Sequence, residues 1–127
     1  METLVYTDVS RGRMVVVPPA RWIRADAAEA IADVGRQMGT KKWHFIGDCR
    51  RMESYEGAVR LEWQTFFRSA RPQILSFVFV GVKSRLVRMG ISTMSMLLSL
   101  PMDSVDRLEG LRPIPADDRA VREAGLG

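Results

Sequence analysis

The sequence predicts an α/β protein with a mixed, mostly parallel central sheet, an N-terminal β-hairpin and crossover helices. The chain opens with two β-rich runs separated by a short turn, and helical and strand-like runs alternate after them. Residues 74–82 are almost entirely apolar, which is typical of a parallel strand that is buried on both faces. A chain of 127 residues is also large enough for one domain with a sizeable core.

The strands are predicted from short apolar or β-branched runs. Gly12 lies between the first two runs and indicates a tight hairpin turn. The third run is apolar on both faces, which favours a central position in the sheet, and the last is a short run that follows Pro101. The predicted strands cover residues 4–9, 13–18, 41–49, 73–82 and 102–105.

The helices are predicted from apolar side chains that recur every three or four residues and therefore share one face. Asp26 is placed to cap the first helix, and Gly39 follows its end. Pro72 closes the second helix, and Ser84 is placed to cap the third. The predicted helices cover residues 27–38, 55–70 and 84–100, with a final helical turn over residues 106–111.

Composition and charge are typical of a soluble domain. The hydrophobic fraction is 46% and the charged fraction 27%. The net charge of +4 comes from scattered arginines without a basic stripe, so we expect no nucleic-acid binding. One cysteine, no secretory leader and no apolar run of about 20 residues predict a cytoplasmic protein without a membrane span. Residues 1–112 form the predicted domain, and residues 113–127 form a polar tail that we expect to be mobile.

The sequence lacks the motifs on which enzyme and metal sites are usually built. His44 is the only histidine and Cys49 the only cysteine, and no cluster of ligand residues has metal-site spacing. Because these two residues are five positions apart in one predicted strand, they are poorly placed to act as a nucleophile and its base. Glycine-rich nucleotide motifs and the serine elbow of hydrolases are also missing. We therefore predict no enzyme activity, no metal and no cofactor.

The order of elements resembles the STAS domain, the fold of bacterial anti-anti-sigma factors and their STAS-like relatives. The resemblance covers about residues 4–111. It depends on the opening hairpin, on the strand, loop and helix over residues 43–67, and on the strand and helix over residues 75–91. The resemblance implies the STAS-like version of the predicted fold and a function in regulation by protein–protein binding.

The loop after the third strand carries the family's switch motif in degenerate form. In STAS domains an aspartate ends this strand, and an Asp-Ser-Ser/Thr-Gly motif with a phosphorylated serine begins the next helix. Asp48 resembles that aspartate, and Ser54 resembles the phosphoacceptor serine. Tyr55 and Glu56 replace the second hydroxyl residue and the glycine. The loop neighbours of Ser54 in this comparison are Asp48, Cys49, Glu53 and Tyr55.

Two roles for Ser54 follow. As a helix N-cap, its hydroxyl would accept a backbone hydrogen bond one turn into the helix, which contributes about 1 kcal/mol. As a phosphorylation site, it would place a phosphate at a helix N-terminus, which favours negative charge. Glu53 and Glu56 oppose that second role, because the phosphate would lie beside two carboxylates.

We therefore predict a non-catalytic regulatory or scaffolding module that acts by protein–protein binding, with Ser54 at the phosphoacceptor position. The resemblance implies a protein partner of a kinase-like or sigma-regulatory kind. One alternative is a small-molecule or lipid-binding module of STAS-like fold, which an enclosed apolar pocket would favour. Another is a small enzyme, which a cleft lined by Asp48, Cys49 and Glu53 together would favour.

The helix predicted over residues 84–100 also predicts a homodimer. Its second half is apolar in several directions, whereas one helix packed on a sheet buries roughly one stripe. The extra apolar positions therefore need a second surface, and cover by residues 102–111 of the same chain is the competing explanation. The predicted interface residues are Met94, Met96, Leu97 and Leu98.

Overall fold

The structure, a computed structural model, describes residues 3–114. Short 3-10 turns lie at Val9–Arg11 and Arg71–Gln73. Helices and strands alternate after the opening hairpin, as the sequence predicts. The elements are β1 (Leu4–Asp8), β2 (Arg13–Val17), β3 (Arg21–Trp22), α1 (Arg24–Met38), β4 (Trp43–Asp48), β5 (Ser54–Tyr55), α2 (Gly57–Ala70), β6 (Ile74–Val80), α3 (Arg85–Leu98) and β7 (Met102–Val105).

The main sheet has five strands in the order β1-β2-β4-β6-β7. Only β1 and β2 pair antiparallel, through a turn in which Gly12 has the left-handed φ of 63°. The other neighbours pair parallel, and Ile46 of β4 lies opposite Val78 of β6 at the centre. This mixed, mostly parallel sheet with an N-terminal hairpin and three helices confirms the predicted fold class.

All three helices contribute to the core on one face of the sheet. The buried side of each helix joins a single cluster with the strand residues of that face. Aromatic rings form its centre, where the ring centroids of Phe67 on α2 and Phe77 on β6 are 4.9 Å apart and Phe45 on β4 stacks on Phe77. Full burial of each such side chain contributes about 1.5–3 kcal/mol, so this cluster is a main source of stability.

The opposite face of the sheet is covered by the segment that follows β7. Its smaller core consists of alternate strand residues such as Tyr6, Val15 and Ile46, against which Leu108 and Leu111 pack. The predicted helical turn over residues 106–111 is wrong, because that segment has a bend at Asp106, a turn over residues 109–110 and no helix. Its two leucines pack against the sheet.

Two predicted helix starts also need correction. α1 begins at Arg24 with Ile23 at its N-cap, so Asp26 lies in the first turn and does not cap the helix. Ser84 does occupy the N-cap of α3, but its side chain makes no capping hydrogen bond. The predicted tail over residues 113–127 falls outside the described residues from position 115 onward.

Candidate functional site

Ser54 lies in a two-residue strand and not at the start of a helix. β5 pairs parallel with β3, and the backbone N–H groups of Glu53 and Ser54 both donate to the carbonyl oxygen of Ala20, at 2.8 and 3.1 Å. The N-cap of α2 is Glu56. The predicted capping role of Ser54 is therefore wrong, because pairing with β3 holds the chain extended until the helix begins two positions later than a capping serine would allow.

The surroundings of Ser54 carry both signs of charge. Ser54 is exposed and pairs with Arg21, its register partner on β3, which is also exposed. Register partners on neighbouring strands place their side chains on the same face of the ribbon. Glu56 is already engaged, since its Oε1 accepts a hydrogen bond from the backbone N–H of Arg24 at 3.0 Å. The register thus places Arg21 beside Ser54, which the sequence did not reveal.

Asp48 has a structural role at the end of β4. Its side chain is 1% exposed, and both carboxylate oxygens accept from the guanidinium of Arg50, at 2.8 Å from Nε and 2.7 Å from Nη2. These hydrogen bonds raise the pKa of Arg50 above its ordinary value. Arg50 Nη2 also donates to the carbonyl oxygen of Arg112 at 2.7 Å. The pair therefore attaches the C-terminal segment to the end of the sheet.

Cys49 is unsuited to nucleophilic chemistry. Burial and the adjacent Asp48 carboxylate raise the pKa of its thiol from 9.0 to about 12. The thiol therefore stays protonated at neutral pH, whereas the thiolate is the reactive form.

An apolar cavity of about 60 Å³ lies on the helical face of the sheet, beneath α2 and α3. Nearly every residue that lines it is buried, and the exceptions are Tyr55 and Arg60, so we infer that its entrance lies between these two. The side chains around it are mostly aromatic or aliphatic. Among them are Trp22, Trp63, Phe77, Phe79, Val87, Ile91 and Met94.

Gly90 of α3 makes room at this entrance. A Cβ atom on Gly90 would lie 2.5 Å from the hydroxyl oxygen of Tyr55 and 3.6 Å from Cδ of Arg60. The Tyr55 hydroxyl also donates to the carbonyl oxygen of Leu86 at 3.4 Å. The tyrosine ring thus packs against α3 only because residue 90 has no side chain.

Trp63 carries a buried polar group without a partner. Among the described residues, its indole Nε1 is the one buried side-chain nitrogen or oxygen that makes no hydrogen bond. The other two tryptophans are satisfied: Trp22 donates to Thr3 Oγ1 at 2.9 Å, and Trp43 donates to the carbonyl oxygen of Met38 at 3.0 Å. The sequence indicated only that Trp63 lies in the core. Its spacing of three from Arg60 was the available signal that the two residues lie on the same side of α2.

The residues proposed for an unrecognised enzyme do not share a cleft. Cys49 lines the apolar cavity, Asp48 is bonded to Arg50, and Glu53 is exposed on the loop. Over residues 3–114, no three His, Cys, Asp or Glu side chains are grouped as they would be to hold a metal ion.

The predicted interface residues of α3 separate into two sets. Met94 is buried, and Leu98 is half-buried against the core. Met96 and Leu97 are 75% and 55% exposed, and the competing cover by residues 102–111 does not reach them, since the two leucines of that segment pack on the other face of the sheet. Leu86 and Met89 of the same helix are also exposed, and they lie outside the predicted interface set.

Fold and site together define an α/β protein whose five-stranded mixed sheet is covered by helices on one face, with an apolar cavity beneath them. No protein-family model matches the chain, and no curated protein matches it significantly. The resemblance to STAS domains therefore stays a prediction. None of the helices in the described part of the chain is long and apolar enough to cross a membrane.

Proposed function

We propose that this protein is a non-catalytic regulatory or scaffolding module that acts by protein–protein binding through the outer side of α3. One observation carries the proposal: a row of exposed apolar side chains, hereafter the α3 stripe, runs along this helix. At 100° per residue its members lie within an arc of about 100° and extend over about 16 Å. The α3 stripe consists of four exposed apolar residues, Leu86, Met89, Met96 and Leu97, with the half-buried Thr93 among them.

The α3 stripe is distinct from the buried side of the same helix. The residues of α3 that enter the core are Val87, Gly90, Ile91 and Met94. Thr93 donates its hydroxyl to the carbonyl oxygen of Met89 at 2.9 Å, so its hydrogen-bonding capacity is partly used within the helix. Single exposed apolar residues are common on protein surfaces, but a contiguous apolar patch usually marks an interaction site.

A second copy of this chain is the occupant that we propose for the α3 stripe. The two charged residues of the helix, Arg85 and Arg88, both lie in its first turn and outside the stripe. Two stripes can therefore face each other without opposing like charges, and methionine side chains adapt readily to an irregular apolar partner.

Sedimentation velocity at micromolar concentrations tests this contact. We expect the wild type to be a dimer, and Met96→Lys and Leu97→Lys each to shift it to the monomer while the circular dichroism spectrum is unchanged. Val9→Lys is the matched control, because Val9 is 68% exposed at the β1–β2 turn, on the edge of the sheet away from α3. A wild type that is monomeric throughout this range would contradict the proposal.

Regulation of this binding through Ser54 is the second part of the proposal. Ser54 is exposed and does not cap α2, and its position beside Arg21 favours a phosphate there. A regulatory partner of kinase-like or sigma-regulatory type is what the STAS resemblance implies. Phosphopeptide mapping of the protein from its own cells should find phosphate on Ser54 and not on the equally exposed Ser69 of α2. Ser54 without phosphate under every growth condition would remove this part.

A further inference from the structure

We propose that the cavity beneath α2 and α3 is a binding site for a small apolar carboxylic acid. Its hydrocarbon part would occupy the cavity, and its carboxylate would lie just inside the entrance, against Arg60 and Trp63. The site is inside the helical face and does not involve the α3 stripe, so it goes beyond the proposed function and can fail independently of it.

The cavity is shaped and lined for a compact hydrocarbon group. Its volume is about 60 Å³, and its wall is formed by rings and branched aliphatic side chains such as Phe79, Val87 and Ile91. An engineered cavity of about 150 Å³ in another protein takes benzene, so this smaller cavity admits only a compact group of a few carbon atoms, such as the branched end of 3-methylbutanoate. A water molecule needs two to four polar partners, and this wall offers few of them.

The unpaired indole N–H of Trp63 indicates that the ligand carries an acceptor. Trp63 is 3% exposed and lines the cavity, yet its Nε1–H has no acceptor among the described residues. Buried donors are almost always hydrogen-bonded, and one left without a partner calls for an explanation. An oxygen atom of a bound molecule would supply the acceptor.

Arg60 indicates that this acceptor is charged. Arg60 and Trp63 are three residues apart on α2, so they lie on the same side of the helix, and both line the cavity. The Arg60 guanidinium donates to Gln64 Oε1 at 3.1 Å, and it makes no ion pair within residues 3–114. A carboxylate between the two side chains could accept from both, one oxygen from the indole and the other from the guanidinium.

The three tryptophans make this proposal directly measurable by two-dimensional ¹H–¹⁵N NMR of the full-length protein. On titration with 3-methylbutanoate, the indole resonance of Trp63 should move downfield and saturate at millimolar acid. The indole resonance of Trp43 should stay in place, because its hydrogen bond to Met38 is remote from the ligand. Acetate, which has the carboxylate without the branched group, should bind at least about tenfold more weakly.

Three comparisons separate the contribution of the carboxylate from that of the hydrocarbon group. The isosteric amide 3-methylbutanamide should bind the wild type at least about tenfold more weakly than the acid, and Arg60→Leu should weaken the acid by a similar factor. Ile91→Phe, which fills the cavity, should abolish the shift, with the backbone spectrum reporting that the variant is folded.

Three results would overturn the proposal. They are no saturable shift of the Trp63 resonance up to about 10 mM acid, equal binding of amide and acid, and unchanged binding by a folded Ile91→Phe variant. The amide comparison uses the wild-type protein, so it remains decisive if a variant does not fold.

Discussion

Removal of Arg50 should destabilise the protein more than removal of its partner Asp48. Arg50→Met leaves a carboxylate that is 1% exposed without its guanidinium, and an unpaired buried charge of this kind typically costs about 3–5 kcal/mol. Asp48→Asn leaves the guanidinium, whose side chain is 30% exposed and can turn to water. Asparagine also keeps one acceptor, so we expect this change to cost only about 1–2 kcal/mol.

Urea unfolding of both variants and of the double variant Asp48→Asn/Arg50→Met measures these differences. We expect the double variant to be more stable than Arg50→Met alone, because the unpaired carboxylate is gone. Arg50→Met should also loosen the segment around Arg112, which hydrogen exchange would report as lost protection of the Arg112 amide, the donor to the Tyr6 hydroxyl at 3.1 Å. If Asp48→Asn lowers the free energy of unfolding as much as Arg50→Met does, the buried Asp48 carboxylate does not depend on Arg50.

Three further outcomes follow from the core. Gly90→Ala should destabilise the protein by about 1–2 kcal/mol, because the added methyl group meets the hydroxyl of Tyr55. Gly35→Ala, whose methyl group meets no atom within 4 Å, should stabilise the protein by about 0.4–1 kcal/mol. Thermal unfolding should show a lower melting temperature for the first variant and a higher one for the second. Cys49 should be inert to a thiol reagent at pH 8 until urea unfolds the chain. Because the pKa of its thiol is raised to about 12 in the folded protein, the unfolded chain releases the thiol proton at a lower pH than the folded protein does. The free energy of unfolding should therefore fall between about pH 9 and 12. Trp63→Phe should cost at least about 1 kcal/mol less than Trp43→Phe, because only the second change removes a satisfied hydrogen bond; equal costs would contradict the unpaired Nε1.

The sequence was sufficient to predict the layers of the fold, for a physical reason. The apolar spacing places Trp63 and Phe67 on one side of α2, and Val87 and Met94 on one side of α3. These four side chains are the ones that pack into the core. The nearly unbroken apolar run over residues 74–82 likewise identified a buried strand, and β6 does lie between β4 and β7 in the sheet.

The errors come from contacts between segments that are distant in sequence. β3 and β5 are two residues each, too short for any periodic signal, yet their pairing decides that Ser54 is extended. The segment that contains Leu108 and Leu111 was predicted to be helical, because its local sequence does not indicate that it packs on the exposed face of the sheet. The unpaired indole of Trp63 and the exposure of Leu86 depend on where neighbouring helices pack, which one sequence does not specify.

Chemical cross-linking at the α3 stripe tests the central claim most directly. Because Cys49 is 2% exposed, Met96→Cys introduces the one accessible thiol of the described chain, and Val9→Cys provides a matched control on the far edge of the sheet. With a bifunctional maleimide whose span is comparable to the stripe, about 16 Å, Met96→Cys should give covalent dimer at micromolar protein, and Leu97→Lys in the same chain should suppress it. Cross-linking of Met96→Cys no faster than that of Val9→Cys would contradict the account.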